Sequence, residues 1–177
     1  MKRNDFIVIA ACVLFFLPFF ISDIVFKSYE QFNAEHGMIM SFFKFAILAT
    51  FGEVIGLRIR TGNYYQKGFG IIPRAIVWGF LGLTIKLSFV IFGVGTPAFL
   101  SYMGLKDAPA AMQAPISGLK VLVAFSISAA MNIIYAPFMM TLHKVTDTHI
   151  LNNGGTLQGF FRPIKFGEII TNLNWNV

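Results

Sequence analysis

Long apolar runs separated by short polar segments dominate the chain. A membrane-spanning helix needs about 20 mostly apolar residues, and four runs reach that length. The predicted spans are residues 6–26, 38–59, 74–95 and 116–142. The pattern therefore predicts an all-α fold, a polytopic transmembrane helix bundle of about four spans with an interfacial C-terminal segment.

Prolines indicate where two of these spans begin, end or bend. Pro73 suits the first turn of the third span, where a missing backbone N–H costs nothing, and the Gly-Thr-Pro sequence at 95–97 is expected to end that helix. Pro137 lies inside the fourth span. Because its ring removes one backbone donor, we expect a kink there.

Composition excludes a water-soluble globule. Of the 177 residues, 56% are hydrophobic and only 12% are charged, and the mean hydropathy is +0.69. The bilayer supplies the apolar solvent that such a chain needs. The single cysteine, Cys12, excludes an intrachain disulfide and a cysteine-based structural zinc site.

The net charge of the chain is +6, and its basic residues lie at the edges of the apolar spans. This placement indicates that they orient the protein in the membrane and contact lipid, and it gives no reason to expect nucleic acid. Cytoplasmic loops of membrane proteins are enriched in Lys and Arg. This rule places both termini and the second loop in the cytoplasm and favours a bacterial inner membrane. Anionic lipid headgroups are predicted partners of Arg58, Arg60, Lys67 and Arg74.

The segment after the fourth span divides the chain into a transmembrane bundle, residues 1–142, and a cytoplasmic or interfacial segment, residues 143–177. A turn is predicted at 152–155, and apolar residues then alternate with polar ones as far as Trp175. This pattern is typical of a segment on the membrane surface. A further helix cut short by a truncated chain is the alternative.

The candidate functional residues inside the predicted spans are three charged side chains, Lys44, Glu53 and Lys86, and one neutral amide, Asn132. A charge at the bilayer centre costs about 2.5 to 3.5 kcal/mol, so each is a candidate functional residue. Helical rise puts Glu53 roughly 10 Å shallower than Lys86. Arg58, Arg60 or Arg74 are therefore the expected partners of Glu53, and a proton site there is a less favoured interpretation.

Small and polar residues form stripes on three of the predicted helices. Such faces pack inward in membrane bundles. One interpretation is ordinary helix packing, with Lys44 extending to the interface. The other is a narrow polar path that attracts an anion. The stripes are Ala49/Glu53/Gly56/Arg60 with Gly52, Gly79/Gly82/Lys86/Gly93, and Lys120/Ala124/Ser128/Asn132/Ala136.

Catalytic and cofactor signals are weak. His143 and Asp147 lie four residues apart, with His149 next, so they could hold a metal or act as an acid and base. Polar residues at an interfacial helix end are more often solvated. Because the chain contains no phosphate-binding loop and no nucleophile elbow, we expect no cofactor and no catalytic residue.

Several short motifs recur in a known family. They are Gly52-Glu53-x-Ile55, Arg74 with Gly79-Phe80, Pro97 and Lys120. With these motifs, residues 50–140 resemble the small channel-like membrane proteins typified by the twenty-two-kilodalton peroxisomal membrane protein. Departures occur at Thr84-Ile85, at residues 88–91 and at Ala124-Phe125. The resemblance implies a pore for small solutes or a role in membrane homeostasis.

Two functional interpretations follow. The first is a small channel or carrier with Lys86 and Asn132 lining its path, assisted by Lys44, Ser128 or Glu53. The second is a non-transporting subunit or assembly factor that binds itself or a partner membrane protein through its small and polar helix faces. A membrane enzyme is third and requires His143, Asp147 and His149 to converge with another polar group.

Overall fold

Helices joined by short connections form almost the entire chain in a computed structural model, which describes residues 3–173. Lys2 and Trp175, used in the topology and surface-segment predictions, lie outside the described residues. The helices are α1 Arg3–Ile21, α2 Asp23–Glu35, α3 Gly37–Thr61, α4 Ile71–Tyr102, α5 Ala108–Ala111, α6 Gly118–Ala130, α7 Ala136–Asn152, α8 Leu157–Phe160 and α9 Phe166–Asn172, with a π-helical turn at Met131–Tyr135 between α6 and α7.

Four stretches of the described chain are long and apolar enough to cross a membrane. They are Arg3–Ile21, Gly37–Thr61, Ile71–Tyr102 and the continuous helical segment Gly118–Asn152. The prediction of an all-α integral membrane protein with four spans is therefore confirmed, although the span boundaries differ from the predicted ones.

Residues up to 40 form a unit separate from the rest of the chain. The first span ends at Ile21, earlier than the predicted residue 26, because the hydroxyl of Ser22 accepts a hydrogen bond from the backbone of Val25 and caps a new helix. The new helix, α2, packs on the first span through an edge-to-face contact of Phe19 with Tyr29, whose ring centres lie 5.4 Å apart. Sequence analysis did not predict this helix.

The third span, α4, is longer than predicted. It begins at Ile71, which places Pro73 in its first turn as expected. The predicted break at 95–97 is wrong, because the helix continues through Pro97 to Tyr102. Proline removes one backbone hydrogen bond and its ring crowds the carbonyl one turn earlier, and the burial of Pro97 indicates that packing offsets this cost.

The backbone hydrogen-bond pattern of the fourth span changes immediately before Pro137. The backbone N–H of Ala136 donates to the carbonyl of Met131, five residues earlier, which is the spacing of a π helix. This local change accommodates the proline, and the predicted kink of the helix axis stays a prediction. The helix then continues ten residues beyond the predicted end at Leu142, to Asn152.

In the unit that begins at Ser41, α3 packs closely on α4 through two glycines. A Cβ atom on Gly79 would lie 2.5 Å from the Phe42 ring, and one on Gly82 would lie 2.7 Å from the Cβ of Phe45. The predicted inward face of α4 is therefore correct for these two glycines. Glycine permits this approach because it has no side chain.

The C-terminal segment packs against the end of the fourth span. The predicted turn is confirmed, with positive φ angles at Gly154 and Gly155, and Gly155 lies against the backbone of Gly68 in the loop between α3 and α4. Ile169 of α9 is buried. The segment thus folds onto the helical bundle, and its placement at a membrane surface stays a prediction.

Candidate functional site

Five side chains from three spans meet in a network that we call the ionic cluster. They are Glu53 of α3, Arg74 and Trp78 of α4, and His143 and Asp147 of α7. The cluster lies at the end of the unit where α3 ends and α4 begins.

Arg74 is the centre of the ionic cluster. Only 4% of this residue is exposed. Its Nη1 donates to both carboxylates, Glu53 Oε2 and Asp147 Oδ1, and its Nε donates to the backbone oxygen of Phe69 at 2.7 Å. The guanidinium also lies over the Phe69 ring, 4.3 Å from the ring centre. These contacts compensate a charge that would otherwise be costly to bury.

Glu53 accepts hydrogen bonds on both of its carboxylate oxygens. Trp78 Nε1 donates to Oε1 at 2.7 Å, His143 Nε2 contacts the same oxygen at 2.8 Å, and Arg74 occupies Oε2. Because an ionised carboxylate can only accept, the proton of the His143 contact is on Nε2. The Glu53 side chain is therefore held in one orientation by three donors.

Helical spacing explains how the sequence builds the cluster. Arg74 and Trp78 lie four residues apart on α4, and His143 and Asp147 lie four apart on α7, so each pair shares one helix face. The second pair depends on the fourth span extending beyond its predicted end. Glu53, from a third helix, connects the two pairs.

Positive charge already occupies the position that a metal ion would take. The ligand atoms of Glu53, His143 and Asp147 lie within 4.8 Å of one another, but the guanidinium of Arg74 bridges the two carboxylates. We therefore assign no metal here. The predicted third ligand, His149, is elsewhere, with its Nε2 at 3.1 Å from the backbone oxygen of Phe160.

A second feature is an open, mostly apolar cleft of about 390 Å³ among α3, α4 and the fourth span, which we call the polar groove after the few hydroxyl and amide groups on its wall. The hydroxyl of Tyr135 is hydrogen-bonded to that of Thr84 at 2.7 Å, and the Asn132 amide donates to the backbone oxygen of Ser128 at 2.8 Å. Its walls are Phe45, Ile85, Phe89, Ala124, Ile127, Ser128, Met131, Asn132, Tyr135, Ala136 and Met139.

The polar groove and the ionic cluster lie at two levels of the same three helices. Eight residues separate Phe45 from Glu53 on α3, and eight separate Tyr135 from His143 on the fourth span. On α4, seven residues separate Trp78 from the groove residue at position 85. Each interval corresponds to roughly 10 to 12 Å of helix, and Met139, which also lines the groove, is one turn before His143.

Comparison with protein-family models, curated proteins and solved structures finds no match.

Of the pathway candidates, Ser128 and Asn132 line the polar groove and are exposed on the fourth span, whereas Glu53 belongs to the ionic cluster. Lys86 is exposed on α4 and is not among the groove residues, so the expectation that it shares the packed face of Gly79 and Gly82 is wrong. Lys44 is half-buried on α3 and belongs to neither feature.

Other predicted contacts were partly right. Arg74 is a partner of Glu53, as expected from their depths, and it is buried; its contact with lipid headgroups stays a prediction. Arg60 and Lys67 are exposed, and Arg58 lies over the Tyr64 ring at 5.5 Å. Lipid contact by these three residues stays a prediction.

Sequence analysis did not single out Trp78, Thr84 or Tyr135, which the structure places in or beside the two candidate features. An available signal for Trp78 was its position one turn after the arginine at position 74, on the same helix face. The Thr84–Tyr135 pair carries no comparable signal, because 51 residues separate its members.

Proposed function

We propose that this protein is a small channel or carrier in which a solute moves along the polar groove, with the ionic cluster closing one end of the path. The observation that carries the proposal is the alignment of the groove and the cluster along three shared helices. Polar groups inside a membrane are costly. They usually face the bundle interior or a water-filled cavity, and they often mark the pathway of a substrate. A groove of about 390 Å³ is within the usual range for small-molecule sites.

The groove's composition favours an uncharged solute. None of its lining residues carries a charge, and Lys86, which suggested an anion, lies outside it. Hydroxyl and amide groups beside aromatic and aliphatic walls suit a small molecule with both polar and apolar parts. A pore for small solutes is also what the family resemblance implies.

For orientation, we propose that the ionic cluster is at the cytoplasmic side. The basic residues of the α3–α4 loop and of the C-terminal segment are near the same end of the bundle, and the positive-inside rule assigns such loops to the cytoplasm. The bacterial inner membrane is the corresponding location.

Blocking the polar groove should abolish solute movement. Ser128→Trp places a large ring in the groove, and we expect a large loss of small-solute flux in proteoliposomes, measured by light scattering after an osmotic step with uncharged solutes of increasing size. Phe125→Trp is the matched control, because Phe125 lies on the same helix, is 68% exposed and is outside the groove. Equal flux through both variants would contradict the proposal.

A second candidate is the non-transporting subunit that binds a partner helix. It is favoured by Gly52 and Gly56 of α3, where an added Cβ would meet nothing within 4 Å, so this small-residue face is open to another helix. Absence of flux in the unmutated protein, together with a stoichiometric membrane partner on purification, would favour this second function.

A further inference from the structure

A cleft of about 490 Å³ lies between the end of α7 and the C-terminal segment that follows it, and we call it the C-terminal cleft. None of its described lining residues belongs to the ionic cluster or to the polar groove. It is therefore a separate feature of this end of the chain. Its polar walls are formed by His149, Asn152, Asn153, Arg162, Lys165 and Glu168.

A chain of hydrogen bonds holds one wall of the C-terminal cleft in place. His149 is only 3% exposed, and its Nε2 donates to the backbone oxygen of Phe160 at 3.1 Å, because a carbonyl oxygen can only accept. Nδ1 of the same ring accepts from the Asn153 amide at 3.3 Å. The oxygen of that amide accepts from Nη1 of Arg162 at 3.4 Å. The guanidinium is therefore positioned at the cleft from a buried anchor.

Arg162 and Lys165 have donors available for a ligand. A guanidinium carries five N–H groups, and the contact with Asn153 is the one hydrogen bond that Arg162 makes among the described residues. Nζ of Lys165 lies 3.0 Å from the Glu168 carboxylate, and both side chains are more than half exposed. Exposed ion pairs of this kind contribute little stability, so Lys165 can exchange this partner for a ligand.

Few acceptors in the C-terminal cleft compete with an anion. The last carbonyl groups of α7, at residues 149–151, already accept hydrogen bonds from the backbone N–H groups of residues 153–155. Among the described residues that line the cleft, Glu168 is the one carboxylate, and it is paired with Lys165. Together with Arg162, the fixed charges of these lining residues give a net charge of +1, which favours an anionic ligand.

We infer that the C-terminal cleft binds a phosphate ester, with Arg162 and Lys165 donating to the phosphate oxygens. Arginine recognises phosphate through paired N–H groups, and lysine does so as a point charge. A volume of about 490 Å³ is within the usual range for small-molecule sites. It leaves room for the organic part of the ester beside Pro163 and Ile169, which also line the cleft. This chemistry is shared by the headgroup of an anionic phospholipid and by a soluble organic phosphate.

Two probes that carry the same phosphate, with and without acyl chains, distinguish these sources. Glycerol 3-phosphate is titrated by calorimetry into the full chain in nanodiscs of phosphatidylcholine. Phosphatidic acid, the diacyl form of the same ester, is added with an equal amount of phosphatidylcholine to the full chain in micelles, and bound lipid is counted by native mass spectrometry. Binding of glycerol 3-phosphate supports a soluble ligand, and selective retention of phosphatidic acid alone supports a lipid ligand.

Substitutions test whether the C-terminal cleft is the place of binding. Arg162→Gln should weaken binding of the retained probe by about tenfold or more, and Lys165→Gln should weaken it less. Lys144→Gln is the matched control, because it removes the same charge from an exposed position on α7 outside the cleft, and binding should be unchanged. Arg162 is also exposed, so both variants are expected to fold, which circular dichroism checks.

Two results would overturn the inference: binding of neither probe to the unmutated chain, or equal weakening by Arg162→Gln and Lys144→Gln. The first measurement does not depend on the folding of any variant. The site goes beyond the proposed function, and neither probe requires solute flux through the polar groove. The inference and the proposed function can therefore fail separately.

Discussion

Arg74→Met is expected to destabilise the folded protein by about 3 to 5 kcal/mol, because it leaves two partly buried carboxylates without their shared cation. Arg74 bridges Glu53 and Asp147 and is almost fully buried. The measurement is the free energy of unfolding in mixed micelles, followed by circular dichroism. Arg60→Met is the matched control: Arg60 is exposed on α3, and its loss should change stability by about 0.5 kcal/mol or less.

A triple variant separates the ion pairs from simple loss of packing. Adding Glu53→Gln and Asp147→Asn to Arg74→Met removes both uncompensated charges, and neutral groups of the same shape are far less costly to bury. Most of the lost stability should return. An equally unstable triple variant would show that the aliphatic part of Arg74, and not its charge, stabilises this end of the bundle.

Gly155→Ala should have the second large effect, a destabilisation of about 2 to 5 kcal/mol. Gly155 has a φ of +66°, and an added Cβ would meet the backbone of Gly68 and lie 2.7 Å from the backbone nitrogen of Gly70. The methyl group would therefore separate the C-terminal turn from the α3–α4 loop. The readout is the unfolding free energy together with the rate at which protease cleaves the C-terminal segment.

Gly154→Ala isolates the contribution of backbone conformation. Gly154 has nearly the same φ, +71°, but an added Cβ would meet nothing within 4 Å. We expect a cost of about 1 to 2 kcal/mol from the left-handed conformation alone. Equal destabilisation by the two variants would show that the contact between the two loops contributes nothing.

Hydropathy was sufficient to predict the fold class and the four spans, since the bilayer imposes a minimum length on every apolar helix. Boundaries were less accurate where local hydrogen bonding decides them. The Ser22 cap divides one apolar run into two helices, whereas the helix at Pro97 continues despite a residue that usually interrupts helices. A hydropathy average over many residues shows neither the helix cap at Ser22 nor the continuation of the helix through Pro97.

The candidate site could be predicted only in part. Depth along the helices was enough to include Arg74 among the three arginines expected to pair with Glu53. Helix rotation was not predictable, because small-residue spacing is equally consistent with several inward faces. Lys86 shares its spacing with Gly79 and Gly82 and is nevertheless exposed. The meeting of His143 with Glu53 requires contacts between helices distant in sequence, which no local pattern records.

If the polar groove is a hydrated path, as we propose, a cysteine placed in it should be accessible to water-soluble reagents. In a Cys12→Ala background the chain has no other thiol, so Ser128→Cys in sealed proteoliposomes can be compared with Phe125→Cys on the same helix. A thiol reacts with a water-soluble maleimide through its thiolate, which requires water. The account predicts rapid labelling at Ser128→Cys, slow labelling at Phe125→Cys, and protection of the former by a permeating solute. Equally slow labelling at both positions would contradict it.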